Sequence, residues 1–221
     1  QHSAPSADSG VSMAERVASN VAEGVECAVG SEHNVIVDFA PVVEKLGVGA
    51  FFRSIIGDEL TSDASREPFG HVNAFPLPFD PSDARGGAIP VRDRTAKQAF
   101  DAILAIPGEH VIQINHPRLG RYGYLDQLQF DPATGVGRAP SYDGRFDAIE
   151  VWSGRHVKER DRVLGDLWAL LRTGHPVTPT ANTDTHGVVD QEAGYPRTWV
   201  RVPDDDPAHF DPAALIDGLR R

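Results

Sequence analysis

The stretch "PVTPTANTDTHG", residues 176–187, is the one whose reading decides the fold. Its first half, a Pro-flanked run of Val, Thr and Ala, reads as a short strand. Its second half places Asp184 and His186 two residues apart just after that strand. A metal pair and a polar turn are the two readings of such a stretch, and the rest of the chain has to separate them.

Working outward, strand and helix patterns alternate. "SMAERVASNVAEG" (12–24) carries Met13, Val17 and Val21 at the spacing of one helix face, with Ser12 and Glu15 as a capping box and Gly24 placed for the stop. "VECAVGS" (25–31) and "FFRSIIG" (51–57) read as strands, "TAKQAFDAILAI" (95–106) as a helix, and "HVIQINH" (110–116) and "FDAIEVW" (146–152) as strands. Residues 156–174 read as a helix, 176–184 and 197–202 as strands, and 211–221 as a final helix capped by Asp211 with Pro212 at its first position. Such alternation predicts a mostly parallel α/β sheet, as an open sheet or a barrel. Two long segments rich in Gly, Pro, Asp and Arg, 60–94 and 117–146, interrupt the rhythm. Loops of that length in a compact domain are often functional.

Composition narrows the function classes. The 221 residues carry a formal charge of −11, which argues against a nucleic-acid scaffold because phosphate neutralisation wants clustered Lys and Arg. A single cysteine, Cys27, excludes an internal disulfide framework and reads as a small core residue. No apolar run reaches the roughly 18 residues of a membrane span, and no stretch resembles a signal peptide. Compartment therefore stays open. The chain opens at Gln1-His2 and closes at "LIDGLRR", so it reads as a single domain, 1–221, truncated at both ends.

The C-terminal ends of the predicted strands then collect one kind of chemistry. His33 follows "CAVGSE", Glu59 follows "SIIGD", His116 follows "VIQIN", Glu150 lies in "DAIEVW", and Asp184 and His186 follow "PTAN". His2 lies ahead of the first helix. Active sites of parallel α/β folds gather at these strand ends. One histidine at a strand end is usually structural. Several imidazoles and carboxylates converging on one rim need cations or hydrogen bonds to offset the cost of burial. Imidazole with carboxylate, without thiolate, suits Zn, Mn or Fe(II).

These residues resemble a known family. "HSAPSADSG", "EGVECAVGSEHN", "GDELT", "GHVNAFPL", "NHPR", "FDAIEVWSG" and "NTDTHG" follow the order seen in the PHP (polymerase and histidinol phosphatase) superfamily, closest to its carbaryl hydrolase-like (CehA/McbA) branch of metallohydrolases. The resemblance spans essentially the whole chain. It implies a distorted (β/α)7 barrel, TIM-like, with two or three divalent transition metal ions, Zn, Mn or Fe, at the C-terminal rim. It implies that His2, Glu59 and Asp184 hold one metal, that Glu59 bridges to a second held also by His71 and His116, and that Asp8, His33 and His186 hold a third. Many relatives carry a histidine where Asp8 stands. The family opens with His-x-His, of which only His2 is present; the first would fall just before Gln1, and the chain as it stands is expected to be impaired in metal binding and activity.

The implied function is a phosphoesterase- or esterase-type hydrolase that cleaves a small phosphoester, carbamate or carboxyl ester through a metal-bridging hydroxide, with Glu59, Asp184 and His186 at the reacting centre. A catalytically inactive binding or structural module of a larger protein is the alternative. Arg118 in "NHPR" and Arg197 in "GYPRTW" are candidates to clamp an anionic substrate oxygen, with a salt bridge to a carboxylate as the structural alternative. Glu150 is a candidate to support a ligand. Asp58, beside Glu59, should point the other way. His110, His156, His175 and His209 read as structural or solvated, and Trp152, Trp168 and Trp199 as core.

Overall fold

A computed structural model describes residues 1–220. Its centre is a five-stranded mixed sheet in the order β3 (Asp58–Thr61), β4 (His71–Phe75), β5 (Val111–Ile114), β8 (Ala148–Ser153) and β9 (Thr178–Asn182). β1 (Cys27–Val29) and β2 (Arg53–Ile55) form a separate parallel pair, and β6 (Phe130–Asp131) with β7 (Val136–Gly137), after the one-turn helix α4 (Tyr124–Gln127), a short antiparallel one. A single bridge, His33 to Glu59, carries the chain after β1 alongside β3.

Register explains what each face of the large sheet buries. Leu60 pairs with Val72, Val72 with Ile114, and Ile114 with Ile149. This apolar face meets Ala99, Phe100 and Ile103 of α3 (Ala96–Leu104) and Val163, Leu167 and Leu170 of α5 (Val157–Arg172) in one core. Each of the larger of these side chains contributes about 1.5–3 kcal/mol by leaving water. The opposite face of the same strands carries Glu59 opposite Asn73, Asn73 opposite Gln113, and Glu150 opposite Thr180. A smaller cluster of Val17, Phe39, Val43 and Phe52 seats α1 (Met13–Ala22) and α2 (Ala40–Leu46).

The capping box of α1 forms as the sequence predicts, with Ser12 accepting from the Glu15 amide and Glu15 from the Ser12 amide. Asp211 accepts from the Ala213 amide at the start of α6 (Pro212–Arg220), within the described residues; Arg221 lies outside them.

The distorted (β/α)7 barrel does not form: among the described residues the three sheets are all open, and the main one is mixed. Two pairings account for this. β4 runs antiparallel to both β3 and β5, so this part of the sheet is a meander rather than a strand–helix–strand repeat. Residues 197–202, expected as a strand, make no ladder, which leaves β9 at the sheet edge. The Thr198 hydroxyl replaces that ladder, accepting from the Ala181 amide and donating to the Ala181 carbonyl. Pro196 and Pro203 flank the segment and have no amide to offer.

Candidate metal centre

The sheet's polar face leads to one carboxylate. Thr180 donates to Gln113 Oε1 at 3.0 Å, Gln113 to Asn115 Oδ1 at 2.9 Å, and Asn115 to Glu59 Oε1 at 2.9 Å. Glu59 is buried, and four imidazoles surround it: His2 Nε2 at 3.2 Å, His71 Nδ1 at 3.2 Å, His33 Nδ1 at 3.5 Å and His116 Nε2 at 3.7 Å. Asp184 Oδ1 is 3.1 Å from His2 Nε2. Asp8 Oδ2 lies 2.9 Å from His33 Nε2 and 3.0 Å from His186 Nε2.

All eight residues predicted as ligands therefore meet in one place. Three groupings can each hold a metal ion: His2, Glu59 and Asp184; His33, Glu59 and His71; and His2, Asp8, His33 and His186. The first matches the expected set. The third adds His2 to it, and in the second His33 stands where His116 was expected, although His116 still faces Glu59.

Local structure holds these side chains in place. His2 is tied to the strand-end stretch by its amide, which donates to the Thr185 carbonyl. The buried Arg16 donates to both His2 and Thr185 carbonyls, locking the two together. Ser3 donates through amide and hydroxyl to the buried Glu32. The ring nitrogens turned away from the centre find their own partners, Ser6 for His2, Asp63 for His71 and the Asp184 carbonyl for His186, while His33 Nδ1, which faces Glu59, also meets the Thr61 hydroxyl. Such outer partners fix tautomer and orientation in metal sites. Glu150 accepts from the His116 amide, which is the supporting role expected of it. His116 and Asp184 adopt positive φ, 26° and 47°, a conformation that non-glycine residues hold only where their surroundings impose it.

Electrostatics follow from this crowding. Burial alone would raise the Glu59 carboxyl, yet the imidazoles of His116, His2 and His71 around it outweigh that and hold Glu59 well below the usual range. Burial opposes protonation of His2, but Asp184 and Glu59 raise it to about 9; His116, opposed likewise, is raised to about 9 by Glu59 and Glu150. Burial lifts Glu150 to about 7. Buried protons thus supply positive charge that divalent ions can supply instead, and metal binding to such groups releases protons. His71 Nδ1 is buried and faces Glu59 Oε1 at 3.2 Å without hydrogen-bond alignment, as a donor atom set to share a cation with that carboxylate would be. The donor set fits a hard-to-borderline divalent ion.

Other candidates fall elsewhere. Arg118, expected at the substrate, is buried and gives its donors to Asp166, Asp126 and the Leu125 carbonyl. Arg197 gives its donors to the carbonyls of Gly194, Gly24 and Glu23. The salt bridge named as the structural alternative forms for Arg118, whereas Arg197 is tied to backbone carbonyls and pairs with no carboxylate among the described residues. Trp152, Trp168 and Trp199, expected in the core, are exposed. Asp58 does face away from Glu59, into the apolar side, where burial and the Glu59 charge push it up to about 8. His110 sits between the Pro76 and Ile106 carbonyls, a structural role as expected. Burial pushes the Cys27 thiol up to about 12, so it offers no thiolate nucleophile.

Sequence reading missed Asn115, Thr61, Asp63 and Arg16. Strand alternation was the available signal for two of them, since Thr61 lies two residues after Glu59 and Asn115 two after Gln113. No family model matches the chain, and no curated protein matches it at a significant level.

Proposed function

We propose that this protein is a metal-dependent hydrolase of a small ester, phosphoester, carbamate or carboxyl ester, acting at the Glu59 centre, as its resemblance to the PHP superfamily implies. The observation that carries the reading is four imidazoles and a second carboxylate gathered around one buried glutamate. His2 and Asp184 would hold one ion with Glu59, His71 and His116 a second that shares Glu59, and Asp8, His33 and His186 a third. When bound, two or three ions of Zn, Mn or Fe supply Lewis acidity and a water that ionises near neutral pH. Asn115 holds Glu59 in place by donating to its Oε1, and the buried walls around His2 and His116 exclude bulk water. Asp184 and His186 flank the open side, each with its donor atom directed inward.

Native mass spectrometry of the chain with Zn2+ or Mn2+ tests this. At least one added ion is expected, lost in an Asp184→Ala, His116→Ala double variant. Less than about half an equivalent in the folded parent chain, judged by circular dichroism, sinks the hydrolase reading in favour of an inactive module. With metal bound, hydrolysis of aryl esters, carbamates and phosphodiesters is the activity to assay.

A further inference from the structure

His186 is the most exposed of the five imidazoles gathered at the centre. Its side chain is 28% exposed, against 16% or less for His2, His33, His71 and His116. Packing therefore holds it least. β9 ends at Asn182, so no ladder reaches the His186 amide. One side chain takes the place of the ladder. Gln191 Oε1 accepts from the His186 amide at 2.5 Å and from the Gly187 amide at 3.3 Å. Two successive amides that converge on one oxygen form a nest, a concavity that favours an electron-rich acceptor.

The segment that carries Gln191 is tied back to the same strand end. The hydroxyl of the buried Thr185 lies 2.9 Å from the Gln191 carbonyl and 2.9 Å from the Gly187 carbonyl. On the other side Ser9 donates to the His186 carbonyl at 3.0 Å. The imidazole itself sits between the Asp184 carbonyl, 3.0 Å from Nδ1, and Asp8 Oδ2, 3.0 Å from Nε2. With Nδ1 donating to that carbonyl, Nε2 carries the lone pair that a cation takes. Its aim towards Asp8 then depends on where the His186 backbone is held, and Gln191 holds the amide side of it.

We propose that Gln191 is the positioning residue of His186: by holding two amides it sets the imidazole against Asp8 and governs cation capture on the open side of the centre. The proposal rests on the metal-dependent reading above. Removing the acceptor leaves two amides to water and frees the backbone from which the ring is hung. Partners that orient a metal ligand from outside are worth about 10–100-fold in metal affinity. Glutamate at this position keeps an acceptor of the same reach, whereas methionine keeps the bulk and deletes the acceptor. The two substitutions therefore separate hydrogen bonding from packing.

Proton–nitrogen correlation spectra of the histidine rings follow each imidazole through a Zn2+ titration of the parent, Gln191→Met and Gln191→Glu. In Gln191→Met the Zn2+ midpoint at the His186 ring is expected to rise about tenfold or more relative to the midpoint at His71. In Gln191→Glu that ratio is expected to return towards the parent's. Taking the ratio cancels the general attraction of an added carboxylate for Zn2+. An unchanged ratio in Gln191→Met overturns the proposal and leaves the metal centre standing. A ratio in Gln191→Glu as poor as in Gln191→Met also overturns it, since the acceptor is then not the cause. Equal losses at His186 and His71 overturn it too, and make Gln191 a support of the whole fold. A parent whose rings do not respond to Zn2+ at all is the failure of the underlying reading, and the positioning role falls with it.

Discussion

The two faces of one sheet have opposite chemistry, one residue apart along the same strands. Leu60, Val72, Ile112, Ile114 and Ile149 point to the helices and are fully buried in the main core. Glu59, Asn73, Gln113 and Glu150 point to the other side, where hydrogen bonds pass from Thr180 through Gln113 and Asn115 to Glu59. The first face supplies the stability that the second spends. A buried polar row offers little net gain because its hydrogen bonds replace those with water, and its like charges repel. The comparison implies that substitutions on the apolar face act on folding and those on the polar face act on the site.

Paired truncations break or sharpen this most severely. Ile112→Ala removes a fully buried side chain that helices cover, and about 2–5 kcal/mol of stability should be lost. For a chain of this size each kcal/mol corresponds to about 2–4 °C in Tm. Asn73→Ala, one strand over on the other face, should change stability by less than about 1 kcal/mol, since the Asn73 Oδ1 is buried without a partner and its loss removes a cost. Thermal melts of both variants, with metal content measured on each, decide it. Similar losses in the two variants would mean that the polar face is structural and not reserved for a ligand.

A second test concerns how the polar face is held to its rim. Gly70→Ala places a Cβ against the Tyr122 carbonyl and the Tyr124 amide, in a backbone conformation that disfavours any side chain. A loss of about 1–3 kcal/mol is expected from that strain, together with displacement of the Tyr122 ring from its edge-on contact with His71. The second effect is readable by Tyr122 fluorescence or by the chemical shifts of the His71 ring. A variant as stable as the parent, with unchanged His71 shifts, would show that the Gly120–Tyr122 turn is not pinned where the structure has it.

What the sequence made legible is the local part of this arrangement. Alternation in "VIQINH" separates Ile112 and Ile114 from Gln113, and the capping box of α1 is written in Ser12 and Glu15. The convergence of His33, Glu59, His116, Asp184 and His186 could be read from their places after predicted strands. The pairing of β3 with β4 could not. Residues 62–70 between them are full of Ser, Asp, Pro and Gly, and a loop of that composition conceals two short strands and their antiparallel sense. The choice between clamp and salt bridge at Arg118 was illegible for a related reason. Its partner Asp166 lies 48 positions away on α5, and no spacing rule links them. Exposure of Trp168 on the outer side of α5 likewise depends on which face of the helix the core takes.

A mild effect confined to one bond pair is expected at the sheet edge, where β9 ends the five-stranded sheet and the segment after it forms no strand. There one side chain does what a ladder would have done, since the Thr198 hydroxyl both donates to and accepts from the Ala181 backbone. Thr198→Val keeps the shape and deletes both bonds. About 0.5–1.5 kcal/mol per bond is the usual contribution, and water can reach this half-buried position to recover part of it. A loss near 1 kcal/mol is therefore expected, with faster amide exchange at Ala181 and an unchanged metal count. Slower exchange at Ala181 would mean that removing the hydroxyl lets residues 197–202 pair with β9 as the strand the sequence predicts, and that Thr198 was what prevented it.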